Sequence, residues 1–325
     1  MDQKKSIPLA LLEILRNDSD EQHPLTRVQL QELLEARYGL RAERRTLYAN
    51  IQMLQDFGYD ISTYEQNKQG YYLLERAFEP SEVNLICHSI HASAIIPEAE
   101  SKHLIDALLK TQSKYQAKAF RERVYTTNYK KSANREFFLN VELLLEAIQS
   151  RKKVTFIYTK YDYHKKLIAR REKRYELCPY ELVYSNERYY LISYNEKHNS
   201  LSHYRIDKIQ DLKLTDESFE RKDELNPYDY IANKIYMYSG DELYITLHCE
   251  ASILDDIIDT FGTNIQIKDL GSHTFEAKIK STKQGILYWA LQYAKYCQIV
   301  KPVELRDDMI FILNKALVDY KKGKR

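Results

Sequence analysis

The chain has no apolar run approaching the roughly 18 to 20 residues needed to cross a bilayer as a helix, so no membrane-spanning helix is expected. Glycine is scarce, 8 in 325 residues, and several glycines fall where an element should end. The four cysteines, Cys87, Cys178, Cys249 and Cys297, form no C-x-x-C pair and no disulfide-framework spacing. Buried, reduced thiols in a cytoplasmic protein are the simplest account. The N-terminal MDQKKSIPLALLEIL starts basic and turns apolar, but Glu13 interrupts it and no small-residue cleavage site follows, which argues against a signal peptide. P-loop, G-x-G-x-x-G, G-x-S-x-G and H-E-x-x-H patterns are missing, and adjacent carboxylates such as Asp255-Asp256 point differently on a helix. Without a catalytic set, a binding protein rather than an enzyme is expected. His88 and His91 are three apart but lack third and fourth ligands at fitting spacing, so neither a metal nor another cofactor is expected.

At 325 residues, with 44% hydrophobic and 30% charged side chains, the composition is that of an ordinary globular protein of two or three domains. The net charge is only +2, but its distribution is lopsided. Residues 102–135 carry nine Lys/Arg against Asp106 and Glu122, and residues 151–174 carry ten against Asp162 and Glu172. The first 77 residues are net −2. One basic run is usually a solvated face; two in mid-chain favour a polyanionic partner.

The pattern is α+β and multidomain. Ile7 to Leu15 predicts a first helix. TRVQLQELLEARYGL predicts a second, with Thr26 and Gln29 in capping-box spacing and Gly39 closing it. RAERRTLYANIQMLQDFG predicts a third, and DISTYEQNKQGYYLL a hairpin around a polar turn. The expected organisation is a winged helix-turn-helix over 1–78, a helical connector over 79–150, a small β-barrel over 151–225 and an α+β extension over 240–325. Trp289 and Tyr293, four apart on a helix, read as core, and the final KKGKR as a frayed tail that touches phosphate.

Two residue groups carry chemistry. On the third helix Leu47, Ile51 and Leu54 share one face, and Arg41, Arg45, Tyr48 and Gln52 the opposite one. In a helix-turn-helix that second face enters the major groove, where Arg bonds guanine and Thr, Tyr or Lys hold phosphates. This adds Arg44, Thr46 and, at the hairpin tip, Lys68. The second group lies in NERYYLISYNEKHNSLSHYRIDKI, residues 186–209. Strand alternation puts His203, Arg205 and Asp207 on one face, Ile192 and Ile206 marking the inward sides. The row is either a salt-bridged surface or, with the nearby tyrosines and basic run, an anion or nucleotide site.

RYYLISY, preceded by P-Y-E-L and followed by H-Y-R-I-D-K-I, resembles the signature of the WYL domain, with Tyr189-Tyr190-Leu191 in the place of the namesake tripeptide. R-R-T-L-Y-A-N-I-Q-M-L resembles the winged helix that precedes such domains, and Y-C-Q-I-V-K-P-V-E-L-R the extension that follows them. The resemblance implies a bacterial or phage-encoded transcription regulator, usually dimeric, with an Sm/SH3-like barrel that senses nucleic-acid or nucleotide ligands. It carries over Tyr158, Tyr189, Tyr190, His203, Arg205 and Lys208 as pocket residues. Lys301 and Arg306 are expected to reach a second subunit's pocket. The expected partners are double-stranded operator DNA and a single-stranded or nucleotide effector, with no membrane. An RNA or single-strand binding module is the alternative.

Overall fold

The computed structural model describes residues 6–126, 129–132, 134–222, 226–232 and 234–323. Lys324 and Arg325 of the C-terminal tail lie outside the described residues. The fold is mixed α/β, with a helical N-terminal region and several antiparallel sheets. It divides into two compact units, Met1–Arg135 and Glu136–Arg325. No described helix is long and apolar enough to cross a membrane.

In the first unit, α1 (Ile7–Asp18), α2 (Arg27–Tyr38) and α3 (Arg44–Asp56) surround a core of Leu11, Leu15, Leu30, Leu34, Leu47 and Ile51. The capping box on α2 forms: the Thr26 side chain accepts from the Gln29 N–H, and the Gln29 side chain accepts from the Thr26 N–H at 2.8 Å. Gly39, at φ 63°, caps the other end in the left-handed region, where L side chains are strained.

The expected hairpin is reduced to two pairs of residues, β1 (Ile61–Ser62) and β2 (Tyr72–Leu73). Thr63 donates its N–H to the Gln66 side chain at 2.7 Å, so the polar stretch between the strands winds into one turn of helix, α4 (Tyr64–Asn67). The hairpin docks through a bridge between Leu25 and Tyr71. Gly70 lies so close there that a Cβ would stand 2.5 Å from the Leu25 carbonyl oxygen. Gly70→Ala therefore destabilises the unit by about 2 to 3 kcal/mol, as overpacking against backbone does, read as a lower urea midpoint. An unchanged midpoint would show that the bridge yields freely.

Three further helices complete this unit: α5 (Pro80–Ala92), α6 (Glu98–Leu109) and α7 (Lys114–Val124), packed through Val83, Cys87, Ile105, Leu109 and Phe120. Three of the nine basic residues at 102–135 form ion pairs here. Lys102 meets Glu98, Arg121 meets Asp106 and Lys114 meets Asp18.

The second unit opens with α8 (Phe137–Ser150), which packs on its first sheet, and Asn140 donates to the Ile209 carbonyl at 3.0 Å. That sheet contains β3 (Lys152–Tyr161), β4 (Leu167–Ala169), β5 (Tyr175–Ser185), β6 (Arg188–Asn195), β7 (Ser200–Arg205) and β8 (Ile209–Ser218). All pairings are antiparallel, in the order β4-β3-β5-β6-β7, with β8 also on β3. Where the sequence leads to a closed barrel, no pairing among the described residues joins β7 to β8. The strand expected to carry His203, Arg205 and Asp207 in alternation is interrupted by a 3-10 turn, Ile206–Lys208, that separates the two.

After α9 (Pro227–Ala232), β9 (Glu242–Glu250) begins a second sheet. Its order is β10-β11-β9-β12, with β10 (Gln266–Gly271), β11 (Thr274–Thr282) and β12 (Cys297–Lys301). Burial alternates along β9, with Ile245, Leu247 and Cys249 inward, as period-two patterning requires. Helices α10 (Leu254–Phe261), α11 (Lys283–Gln292) and α12 (Val303–Lys321) cover that face. Trp289 is core, as its spacing predicts: it stacks on Tyr293 and donates to the Thr260 hydroxyl.

Candidate functional site

Helix α3 buries Leu47, Ile51 and Leu54 and leaves Arg44, Arg45, Tyr48 and Gln52 exposed, with Thr46 partly buried. Amphipathic spacing alone produces this division. Asn50 is buried on the inner face and satisfies its amide against the Thr46 carbonyl at 2.7 Å. Arg44 lies over the Tyr48 ring at 5.4 Å. Tyr48 in turn touches Tyr71 of the hairpin, whose hydroxyl is pushed up to about 12 by burial and by a hydrogen bond with Tyr48. Arg41 stands before the helix, its side chain 85% exposed and paired with Glu35 at 2.6 Å. Lys68, exposed, donates to the Glu65 carbonyl at 2.8 Å and so closes α4. Gln52 donates to Asp56. The seven residues singled out for DNA are thus all at least partly accessible, and Arg41, Gln52 and Lys68 each hold a short-range polar partner.

The second group divides between two faces. In the β6–β7 ladder Tyr190 is opposite Arg205 and Ile192 opposite His203, so these four side chains share a face. Leu191 is opposite Tyr204 on the other. Tyr204 joins Phe156, Tyr158 and Tyr175 in a cluster of mutually contacting rings with centroids 5.2 to 6.3 Å apart. The tyrosines on that side largely fill the sheet's interior, as rings of this size do. Tyr158 still reaches across, accepting the Arg205 N–H at 3.2 Å, and burial pushes its own hydroxyl up.

On the Tyr190 face α9 and the chain that follows it fold over part of the sheet. Tyr230 and Met237 pack against Tyr190 and Ile192. His203 meets the Tyr230 hydroxyl at 2.9 Å, and burial, reinforced by the Lys234 charge, pushes its pKa down to about 4. His203 is therefore neutral and satisfied. Lys234 is itself buried, 4.3 Å over the Tyr230 ring, and desolvation lowers its pKa. Tyr230 and Lys234 are residues the sequence did not single out, because the return of the chain to the sheet after β8 leaves no local pattern.

The accessible part is cationic. Arg205, 34% exposed, is bound through Nε and Nη2 to the buried Asp207 carboxylate at 3.0 and 2.7 Å. Asp207 belongs to the 3-10 turn, beyond the strand, so the pairing is made by the turn and not by strand alternation. Lys208 lies 3.5 Å over the exposed Tyr161 ring, and burial lowers its pKa, with Arg205 and Arg188 adding repulsion against the pull of Asp207. Arg205 and Arg188 also act on Tyr190. Tyr189, partly buried, contacts Phe137 of α8. Arg171 lies 3.5 Å over Tyr175. Cations held against tyrosine faces are suited to phosphates and stacked bases.

Among the described residues no group of three or more His, Cys, Asp or Glu is placed to hold a metal ion, and His91 sits edge-on to Tyr125 and Tyr129. Lys301 and Arg306 are both exposed.

Residues 140–214, from α8 through β8, match the family model described as the WYL domain. These residues of the chain are thus a WYL domain. No curated protein sequence matches it. Among solved structures it is similar to proteasome accessory factor B/C (PafBC) of Arthrobacter aurescens, with 14% identity and a TM-score of 0.28 over 98% of this chain. It spans about half of that protein, 49%. A CRISPR Cas-related protein is similar over 100% of this chain and 93% of its own, with 12% identity and a TM-score of 0.40.

Proposed function

We propose that the chain is a DNA-binding transcriptional regulator whose WYL domain senses an anionic ligand of nucleic-acid or nucleotide type. The observation that carries this reading is the exposed row Arg44, Arg45, Tyr48 and Gln52 on a helix whose opposite face is buried, in the same chain as a WYL domain. In this reading α1 to α3 with the β1–β2 hairpin act as a winged helix-turn-helix over 1–78, and α3 reads the major groove. The connector over 79–150 joins it to an Sm-like WYL domain over 151–225, and the extension over 240–325 follows. Arg205, Lys208 and the nearby tyrosines take the effector's phosphates and bases. The protein acts in the cytoplasm, as a homodimer and without enzymatic activity. Because the first 77 residues are net −2, operator affinity rests on the local patch and on two copies gripping one site.

Sequencing of random duplex fragments retained by the purified chain is expected to yield a strong motif. Arg45→Ala then weakens binding to that motif by about 1 to 3 kcal/mol, roughly five- to 150-fold. Unchanged affinity would remove Arg45 from the interface. A second reading, a module for RNA or single-stranded DNA, is favoured by the exposed Tyr161 and Tyr163 within the basic run at 151–174. In that case no duplex motif emerges and Arg45→Ala leaves single-strand affinity untouched.

A further inference from the structure

Cys249 lies on β9, and Cys297 opens β12, an edge strand of the second sheet. They are direct partners in the ladder, with the two sulfurs 3.5 Å apart and one thiol donating to the other. The Glu250 N–H goes to the Tyr296 carbonyl, whereas the Cys297 N–H turns away to Tyr293. That marks Cys249 and Cys297 as a non-hydrogen-bonded pair, the kind in which Cα atoms approach to about 4.5 Å. A disulfide bridges Cα separations of about 4.4 to 6.8 Å, so backbone and side chains already stand in bonding reach.

We propose that Cys249 and Cys297 are a modification site, a cross-strand dithiol that hydrogen peroxide converts to an intrachain disulfide. The Cys249 thiolate attacks one peroxide oxygen, the O–O bond breaks, and sulfenic acid and hydroxide are formed. Cys297 then attacks the sulfenic sulfur, which expels the hydroxyl as water once the thiol proton is transferred. Two thiols and one peroxide give one disulfide and two waters. The two sulfurs face each other at 3.5 Å, so the same two steps run with either cysteine as the first nucleophile.

Both sulfurs are buried, and a thiolate must be reached to react. The edge position supplies the route: β12 is paired on one side only, and its register slips between Ile299 and Lys301. A strand held this way opens more readily than the sheet interior. Cys87 and Cys178 are internal controls, each buried without a sulfur partner among the described residues, and burial pushes Cys178 up to about 12.

The test treats the native full chain with graded hydrogen peroxide, then denatures it, alkylates free thiols and maps peptides by mass spectrometry. The expected result is a linked 249–297 peptide pair lighter by two hydrogen atoms, with loss of alkylation at both positions, while Cys87 and Cys178 stay alkylated. Dithiothreitol restores alkylation. In Cys297→Ala the second step is blocked, and dimedone traps the sulfenic acid on Cys249. Full alkylation of Cys249 and Cys297 at peroxide doses that oxidise Cys87 or Cys178 would overturn the proposal. A linked peptide formed only in denaturant would overturn it equally. The wild-type measurement stands alone even if the variant fails to fold.

Discussion

Replacing Asp18 by Ala lowers the stability of the N-terminal unit by about 3 kcal/mol, the lower end of the cost of removing one member of a buried ion pair. Asp18 ends α1 with only 1% of its surface exposed, although a carboxylate at a helix C-terminus faces the negative end of the dipole. Two cations from elsewhere make the position tenable. Arg37 of α2 grips both oxygens, at 2.5 and 2.7 Å, and Lys114 of α7 adds a contact at 2.8 Å. Burial by itself raises the Asp18 pKa, but the hydrogen bonds and charges of Arg37 and Lys114 together hold it below the usual carboxylate range. Both cations keep partial access to water, 40% and 52% of the side chain, which sets the estimate at the low end. Urea unfolding of Asp18→Ala against wild type measures the loss, and Asp18→Asn, which keeps the shape, is expected to lose less. A midpoint within error of wild type for the alanine variant would mean that Arg37 and Lys114 find water without cost.

Between pH 6.5 and 4 the second unit is expected to lose up to about 3 kcal/mol through His203, at about 1.4 kcal/mol per unit of displacement. The folded state holds the imidazole neutral, while the unfolded chain takes up its proton near 6.5. In this window the unfolded state therefore binds more protons, so stability rises with pH, is complete above 6.5 and stops falling below about 4. Partial solvent access to the ring brings the observed figure below this limit. His203→Gln keeps a hydrogen-bonding side chain beside Tyr230 without a titrating group. Denaturation of the second unit followed at several pH values should be flatter in this variant; equal slopes would place the proton elsewhere. Asp18 belongs to a different window, since its stabilising ion pairs are lost only as pH falls through its lowered pKa.

Local rules wrote α1 to α3 plainly into the sequence. The Thr26–Gln29 box, Gly39 and the Leu47, Ile51, Leu54 spacing all depend on successive residues no more than four positions apart. Longer reach is where legibility ends. Asp18 and Lys114 are 96 residues apart, and Asn140 finds its carbonyl 69 residues later. No periodicity announces such pairs. The candidate ligand face was legible as a row of polar side chains. Its covering by Tyr230 and Met237, and the turn that brings Asp207 back to Arg205, depend on how the chain returns after the strands. The short hairpin departs from alternation for a local reason instead, since Thr63 and Gln66 favour a helical turn within it.

Asp207 gives the proposed effector site an occupant of its own. A carboxylate tethered two residues from Arg205 competes at an effective concentration on the order of millimolar or more, without leaving the chain. Dilute monoanions such as acetate would offer the guanidinium nothing it lacks. A phosphate brings more charge and a third oxygen, and it gains further from Lys208 and Arg188 close by. In the proposed site the tethered pair would then work as a threshold that sorts anions by charge density before any base-specific contact is made.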